Sequence, residues 1–308
     1  MIDFVYAENT NLPVILESKK LNLLSFAQHI RFLNWVKRNR IPLGYFYRDI
    51  RWRFPFYTSV LHGPLAHLLK PLNWIDWYII DRTSDILYLP SEEMNKWLPR
   101  PRKENTYRAL PPGYNQARCL PSSETTSGKV LRLVYVGGLN KPVYSFSRAL
   151  KVIYNHNLIH LTLCCREDEW NNARDELEPL LGHNVSVVHL HHDALSSLYR
   201  TADIFLLAMD PCEYWEFSFP VKFAESIGFG VPVVCCRHQA AIASVIVKER
   251  IGWVIDAPED LIQLAESDQL PAEIREFKEN VAKFRDQFSW LARARAVSAD
   301  LSAKNSKI

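Results

Sequence analysis

The feature that most constrains this chain is a rhythm. From residue 131 onward, short apolar runs (LRLVYV, HLTLCC, VSVVH, IFLL, VPVVC, WVI) recur with helix-length patterns between them. Runs this apolar fit strands buried on both faces, and parallel neighbours need a crossover, usually a helix. The alternation predicts a doubly wound parallel sheet with strands at 131–136, 160–165, 185–189, 204–207, 231–235 and 253–255. Upstream the same reading places strands at 2–6, 41–47 and 86–89. Helices are expected at 23–37, where Phe26, Ile30 and Leu33 share a face, and at 57–80. Ser91 is expected to cap a short helix with Glu92 and Glu93 in its first turn.

Between residues 111 and 129 the chain reads PPGYNQARCLPSSETTSGK, rich in Pro, Ser and Thr and poor in apolar periodicity. This is where a domain boundary belongs. The expected organisation is a first Rossmann-like domain over 1–118, a linker over 119–129 and a second Rossmann-like domain over 130–285. A C-terminal helix and tail over 286–308 follow, within an amphipathic helical stretch at 272–302. Two such α/β domains would face a cleft, with ligands at the carboxyl ends of the strands.

Composition narrows the function classes. Thirty-seven Lys and Arg against 34 Asp and Glu give a formal charge of +3, too small to make nucleic acid the default partner. The six cysteines include the adjacent pairs Cys164-Cys165 and Cys235-Cys236, each closing an apolar run, so they read as small buried hydrophobes. Reduced thiols and the lack of a membrane span predict a cytoplasmic protein. The nine tryptophans, several beside Arg or Lys, offer a second possibility, that one face rests on a membrane surface.

The chemistry is expected just past the strands. After LRLVYV comes Gly137-Gly138-Leu139-Asn140-Lys141, where glycines let backbone amides approach a ligand and a lysine adds a point charge. Two readings stand: a phosphate site, or a plain turn with a solvated lysine. Neither the Walker spacing nor G-x-G-x-x-G is present. After IFLL the stretch FSFPVKFAESIGFGVPVVCC puts Pro220 at a first helical position, Lys222 in the first turn and Glu225 three residues on. A helix start of this kind can hold an anion, with Glu225 accepting hydroxyls; alternatively Lys222 and Glu225 are a solvated helical pair. The run His189-Leu190-His191-His192-Asp193 resembles metal ligands but lacks a second ligand group at matching spacing.

Taken together, FPVKFAESIGFGVPVV, VYVGGLNK, PPGYN, IPLGYFYRDIRWRFP, SDILYLPSEEM and FSWLARARA resemble the retaining GT-B glycosyltransferases of family 4, of the bacterial surface-polysaccharide type. The resemblance implies the GT-B fold, two Rossmann-like doubly wound domains facing a cleft, with the first domain incomplete because it lacks an opening βα unit. It implies a nucleotide-sugar donor, a UDP-sugar ahead of a GDP-sugar, bound on the second domain. The sugar would pass with retained configuration to a glycan or lipid-linked acceptor on the first, without metal or other cofactor. Donor-binding residues would be Gly137, Gly138, Lys141, Pro220, Lys222 and Glu225, the last on the ribose. Asp49, Arg48 and Glu216 would be the catalytic group.

Two positions depart from that pattern. Phe217 stands where many members carry a first glutamate, with Glu216 one residue earlier. Arg48 stands where a histidine is common, and an arginine with a pKa above ~12 cannot be a general base. A shortened first domain leaves a second expectation open, a non-catalytic nucleotide-sugar or glycan-binding protein.

Overall fold

The structure, a computed structural model, describes residues 2–10, 12–16, 22–57, 64–116, 129–139, 141, 143–191 and 194–305, with backbone only for 64–68 and 305. It divides into two compact units, Met1–Pro111 with Arg293–Ile308, and Pro112–Ala292. The first unit contains β1 (Val5–Glu8), α1 (Leu23–Arg38), β2 (Leu43–Phe46), α2 (Pro64–Thr83), β3 (Ile86–Leu89), α3 (Met94–Trp97) and β4 (Tyr107–Ala109). The second runs through β5 (Leu131–Val136), α4 (Ser147–Ile153), β6 (Ile159–Cys164), α5 (Glu167–Leu177), β7 (Val185–Val188), α6 (Ala194–Thr201) and β8 (Ile204–Leu207). It continues with α7 (Val221–Gly228), β9 (Val233–Cys236), α8 (Ala240–Glu249), β10 (Gly252–Ile255), α9 (Asp260–Glu266) and α10 (Leu270–Phe284), and α11 (Trp290–Asn305) leads back into the first unit.

In the first unit the strands are parallel and lie in the order β1-β2-β3-β4. β2 and β3 are buried along their whole length, whereas β1, at an edge, is half-exposed. Side chains alternate across β2. Tyr45 meets His29 of α1 at 6.3 Å between ring centroids, and Tyr47 meets Trp77 of α2 at 5.1 Å. On the opposite face Phe46 joins Ile86, Tyr88, Leu110 and the α11 residues Val297 and Leu301 in one core. Gly44 lies on that face too. A Cβ there would stand 2.7 Å from the Tyr88 ring and 3.0 Å from Leu301, so glycine lets α11 settle on the sheet.

Arg293, 9% exposed, fixes the start of that packing. Its guanidinium donates to the Leu110 and Pro111 carbonyls, pairs with Glu8 at 3.0 Å and lies 4.0 Å over the Phe46 ring. One side chain thus ties α11 to β1, to β2 and to the chain leaving β4.

The second sheet is also wholly parallel, with the order β10-β9-β8-β5-β6-β7. Its first strand, β5, is central; the chain builds outward through β6 and β7, then returns to lay β8 against the other side of β5. The carboxyl ends of β5 and β8 therefore flank a topological switch point, where open α/β sheets leave a crevice.

Several expectations shift. β1 starts three residues later than expected and ends at Glu8. β4 was not expected at all: its three residues, YRA, have no apolar alternation and become a strand only by pairing with β3. Ser91 does cap, accepting the Met94 N–H, but Glu92 and Glu93 lie ahead of the helix rather than inside it. The expected tail helix is two helices, separated by a tight turn at Arg285–Phe288 and an extended Ser289. The linker at 119–129, apart from Lys129, lies outside the described residues.

Candidate functional site

Two loops meet at the switch point and are stitched together. Beyond β8, the Asp210 N–H donates to the Ser145 carbonyl at 2.7 Å, and the Asp210 carboxylate accepts from the Ser145 hydroxyl at 2.5 Å and the Ser147 N–H at 3.1 Å. The Trp215 indole N–H adds a bond of 2.6 Å to the Val143 carbonyl. These bonds hold the β5 loop against the segment that leads into α7.

At the end of β5, side chains lie close over both glycines, leaving no space for a Cβ at Gly137 and little at Gly138. At Gly137 it would lie 2.6 Å from the Tyr135 hydroxyl, which donates to the Gly138 carbonyl at 2.6 Å. At Gly138 it would lie 3.1 Å from Glu169 Oε2, which accepts the Leu139 N–H at 3.0 Å. Glu169, from the first turn of α5, is in turn held by Arg166 at 3.0 Å. The turn is shaped from below by Tyr135 and Glu169, and the Leu139 amide is already engaged by a carboxylate.

α7 follows the segment that the Asp210 and Trp215 bonds hold. Pro220 is extended (φ −72°, ψ 141°) and occupies the cap, one residue before the first helical position expected for it. Its fixed φ suits the entry, and in the first turn the Phe223 N–H already donates to the Pro220 carbonyl at 3.1 Å, whereas the Val221 and Lys222 N–H groups lie ahead of any carbonyl of the helix itself. Lys222 and Glu225 sit together in this region, Nζ to Oε2 2.5 Å, with side chains 32% and 26% exposed. Burial pushes the Cys164 thiol at the end of β6 up, while a backbone contact at Leu190 and the charge of Lys222 draw it back. The ammonium is thus felt at the carboxyl end of β6, the strand beside β5. The arrangement offers positive charge and amide donors for an anion, with a carboxylate one turn away for hydroxyl groups.

The other expected residues have partners or surroundings of their own. Lys141 pairs with Glu176 of α5. Glu176 is seven residues beyond Glu169, about 10 Å along the helix, so this pair draws the lysine away from the glycine turn. Glu216 ends a tight turn at Glu213–Glu216 and is half-buried, while Phe217 is 2% exposed and meets Tyr214 edge-on at 5.1 Å. The position where a first glutamate was sought is a core position. In the first unit, Arg48 pairs with Glu8 at 3.1 Å. Asp49 accepts the Arg51 N–H at 2.9 Å and pairs with the Arg51 guanidinium at 2.9 Å, closing its own turn.

His189 bonds the Cys165 carbonyl through Nδ1 at 3.0 Å; His192 and Asp193 lie outside the described residues. Among the described residues no group of metal-binding side chains is found. The Cys165 thiol is pushed up to about 12, by burial first and then by the neighbouring Cys164 and Glu169, which suits a buried hydrophobe rather than a nucleophile. Sequence reasoning missed Tyr135 and Glu169. Glu169 lies 30 residues from the backbone group it holds, and no local pattern marks it.

Comparison with known proteins follows the same division. Residues 130–267 match the family model of the glycosyl transferases group 1. No curated protein sequence matches the chain. Among solved structures, the sucrose-phosphate synthase of Thermosynechococcus elongatus is 17% identical with a TM-score of 0.61, over 87% of this chain and 69% of that one. The Anabaena protein HepE in complex with UDP is 13% identical with a TM-score of 0.62, over 89% and 76%. The α,α-trehalose 6-phosphate synthase of Burkholderia multivorans is 14% identical with a TM-score of 0.61, over 99% and 72%. At such identities the likeness carries the fold. The chain has the GT-B fold, with two Rossmann-like parallel sheets of four and six strands. The six-stranded sheet, with its switch point, lies within the stretch that is similar to the glycosyl transferases group 1.

Proposed function

We propose that this chain is a retaining, metal-independent glycosyltransferase that needs no cofactor. It moves a sugar from a nucleotide-sugar, a UDP-sugar ahead of a GDP-sugar, to a hydroxyl of a growing, lipid-linked cell-surface glycan at the cytoplasmic face of a membrane. The observation that carries the reading is the Lys222–Glu225 pair near the start of α7, the helix that follows β8 at the switch point, where the Gly137-Gly138 turn follows β5. The match of residues 130–267 to the glycosyl transferases group 1 supports it, and the UDP held by the Anabaena protein of like fold supports a uridine nucleotide.

In this reading Glu225 accepts the ribose hydroxyls, which frees Lys222 to face the diphosphate. Pro220 fixes the helix start, whose amide donors and dipole stabilise the departing charge. Gly137 and Gly138 admit the ligand to the backbone. Lys141 exchanges Glu176 for the diphosphate; both side chains are about half exposed, so the exchange costs little. Glu216 contacts the sugar, and Arg48 and Asp49 serve the acceptor side.

The test is transfer from radiolabelled nucleotide-sugars to a lipid extract, with Glu225→Ala and Lys141→Ala beside the wild type. Each should lose about a hundredfold in kcat/KM, the cost of a hydrogen bond to a charged group. Full activity in Glu225→Ala would overturn the assignment. A second reading, binding without catalysis, is favoured by Phe217 in place of the first glutamate and by Asp49 closed on Arg51. Calorimetric binding of a nucleotide-sugar with no turnover would select it.

A further inference from the structure

α1 and α2 are successive crossovers in a sheet whose strands run in chain order, so right-handed connections put both on the same face. Lys37 of α1 donates to the Arg82 carbonyl of α2, which fixes them side by side. The sheet side of α1 is the buried stripe of Leu33 and Val36, and that of α2 includes Leu69, Asn73, Trp77 and Ile80. On the outward side, α1 presents Leu24, Arg31, Trp35 and Arg38 at helical spacing, with Phe32 stacked on Trp35 at 6.3 Å. α2 presents Trp74, Ile75, Tyr78 and Arg82 at the same spacing, the Arg82 guanidinium 4.4 Å from the Tyr78 ring. Leu24 is 67% exposed, Tyr78 56% and Trp74 49%, high values for side chains of this size.

The charges on these two stripes are of one sign. α1 contains no acid. The two acids of α2 are turned to other work: Asp76 is buried and accepts the Val14 N–H at 2.7 Å, and Asp81 pairs with Arg102 at 3.1 Å. Exposed aromatic rings interleaved with arginines and free of carboxylates match the boundary of an anionic bilayer, where rings sit at headgroup depth and guanidinium groups meet phosphate.

We propose that the outward faces of α1 and α2 form a docking surface for anionic lipid bilayers. The surface deepens the lipid-linked acceptor of the proposed function and, in purpose, rests on that reading; its measurement does not. The full chain is sedimented with vesicles of phosphatidylcholine alone and of phosphatidylcholine mixed with phosphatidylglycerol. Binding is expected only to the mixed vesicles and should be released by salt. Arg31→Glu, Arg38→Glu and Arg82→Glu together should weaken it about a hundredfold or more, at roughly 1 kcal/mol per basic residue near such a surface. Trp35→Ser with Tyr78→Ser should weaken it at unchanged salt dependence, and Lys248→Glu in the second unit should leave it unchanged.

Equal binding by wild type and the arginine variant would overturn the proposal. So would a failure to bind vesicles together with a concentration-dependent dimer, which would assign the face to a second copy of the chain. Stabilisation by UDP, measured on the same samples, separates the two readings: its absence with vesicle binding intact counts against the donor site alone.

Discussion

Lys222 and Glu225 were legible as neighbours from their spacing alone, because residues three apart on a helix share a face. Their partners across the fold were not. Glu169 under the glycine turn and Glu176 on Lys141 are contacts made by tertiary packing, with no signature in the sequence around them. The same holds for Phe217, whose burial against Tyr214 shows why the stretch departs from a glutamate there. Phe217→Glu should therefore lower stability by about 4 kcal/mol or more, a lost aromatic side chain plus a buried carboxylate, as read from urea unfolding. An unchanged midpoint would mean that the position tolerates a carboxylate after all. Glu8 gives a pH prediction. Burial raises its pKa, but the Tyr6 hydroxyl, Arg293 and Arg48 outweigh that and leave it below the ordinary value. A depressed carboxylate contributes stability that is complete above the unfolded pKa, about 4.3 for glutamate, and is lost as pH falls through the folded one. The stability difference between wild type and Glu8→Gln should shrink on acidification below that point, and a difference that grew would contradict the pairing.

Most elements were readable, and their ends less so. β2, β3, β8 and β9 are continuous apolar runs buried along their whole length, and β5 and β6 are interrupted only by the half-buried Arg132, His160 and Thr162, so composition and position agree. β4 escaped notice because three residues with an arginine in the middle carry no pattern, and its partner strand defines it. The break between α10 and α11 was hidden because the apolar periodicity continues through it. Packing of α11 depends on glycine at position 44, so Gly44→Ala should cost about 1–3 kcal/mol by overpacking against Tyr88 and Leu301. In a double-mutant cycle with Tyr88→Leu the two losses should be less than additive; strict additivity would show that the clash is relieved elsewhere. Gly228→Ala, whose Cβ would meet the Tyr114 ring at 2.4 Å at the end of α7, should cause a loss of similar size in the second unit. A neutral outcome there would mean that Tyr114 is free to withdraw.

At the scale of the whole molecule, the alternation of strands and helices told of two α/β units, and the chain's return through α11 completes the first of them. The order β10-β9-β8-β5-β6-β7 was not in the sequence as such, since no local pattern says that β8 returns to the far side of β5. That return is what creates the crevice and brings the loop after β5 against the segment that leads into α7. The site claim is therefore a claim about topology, and it predicts that a nucleotide-sugar binds the folded chain there. A ligand that binds only the folded state raises stability by about 2.7 kcal/mol at a hundred times its Kd. The direct measurement is the unfolding midpoint of wild type and Glu225→Ala against a series of UDP- and GDP-sugars. A clear upward shift with at least one of them, lost or reduced in Glu225→Ala, is the predicted result. No shift with any nucleotide-sugar, or an equal shift in the variant, would contradict the account.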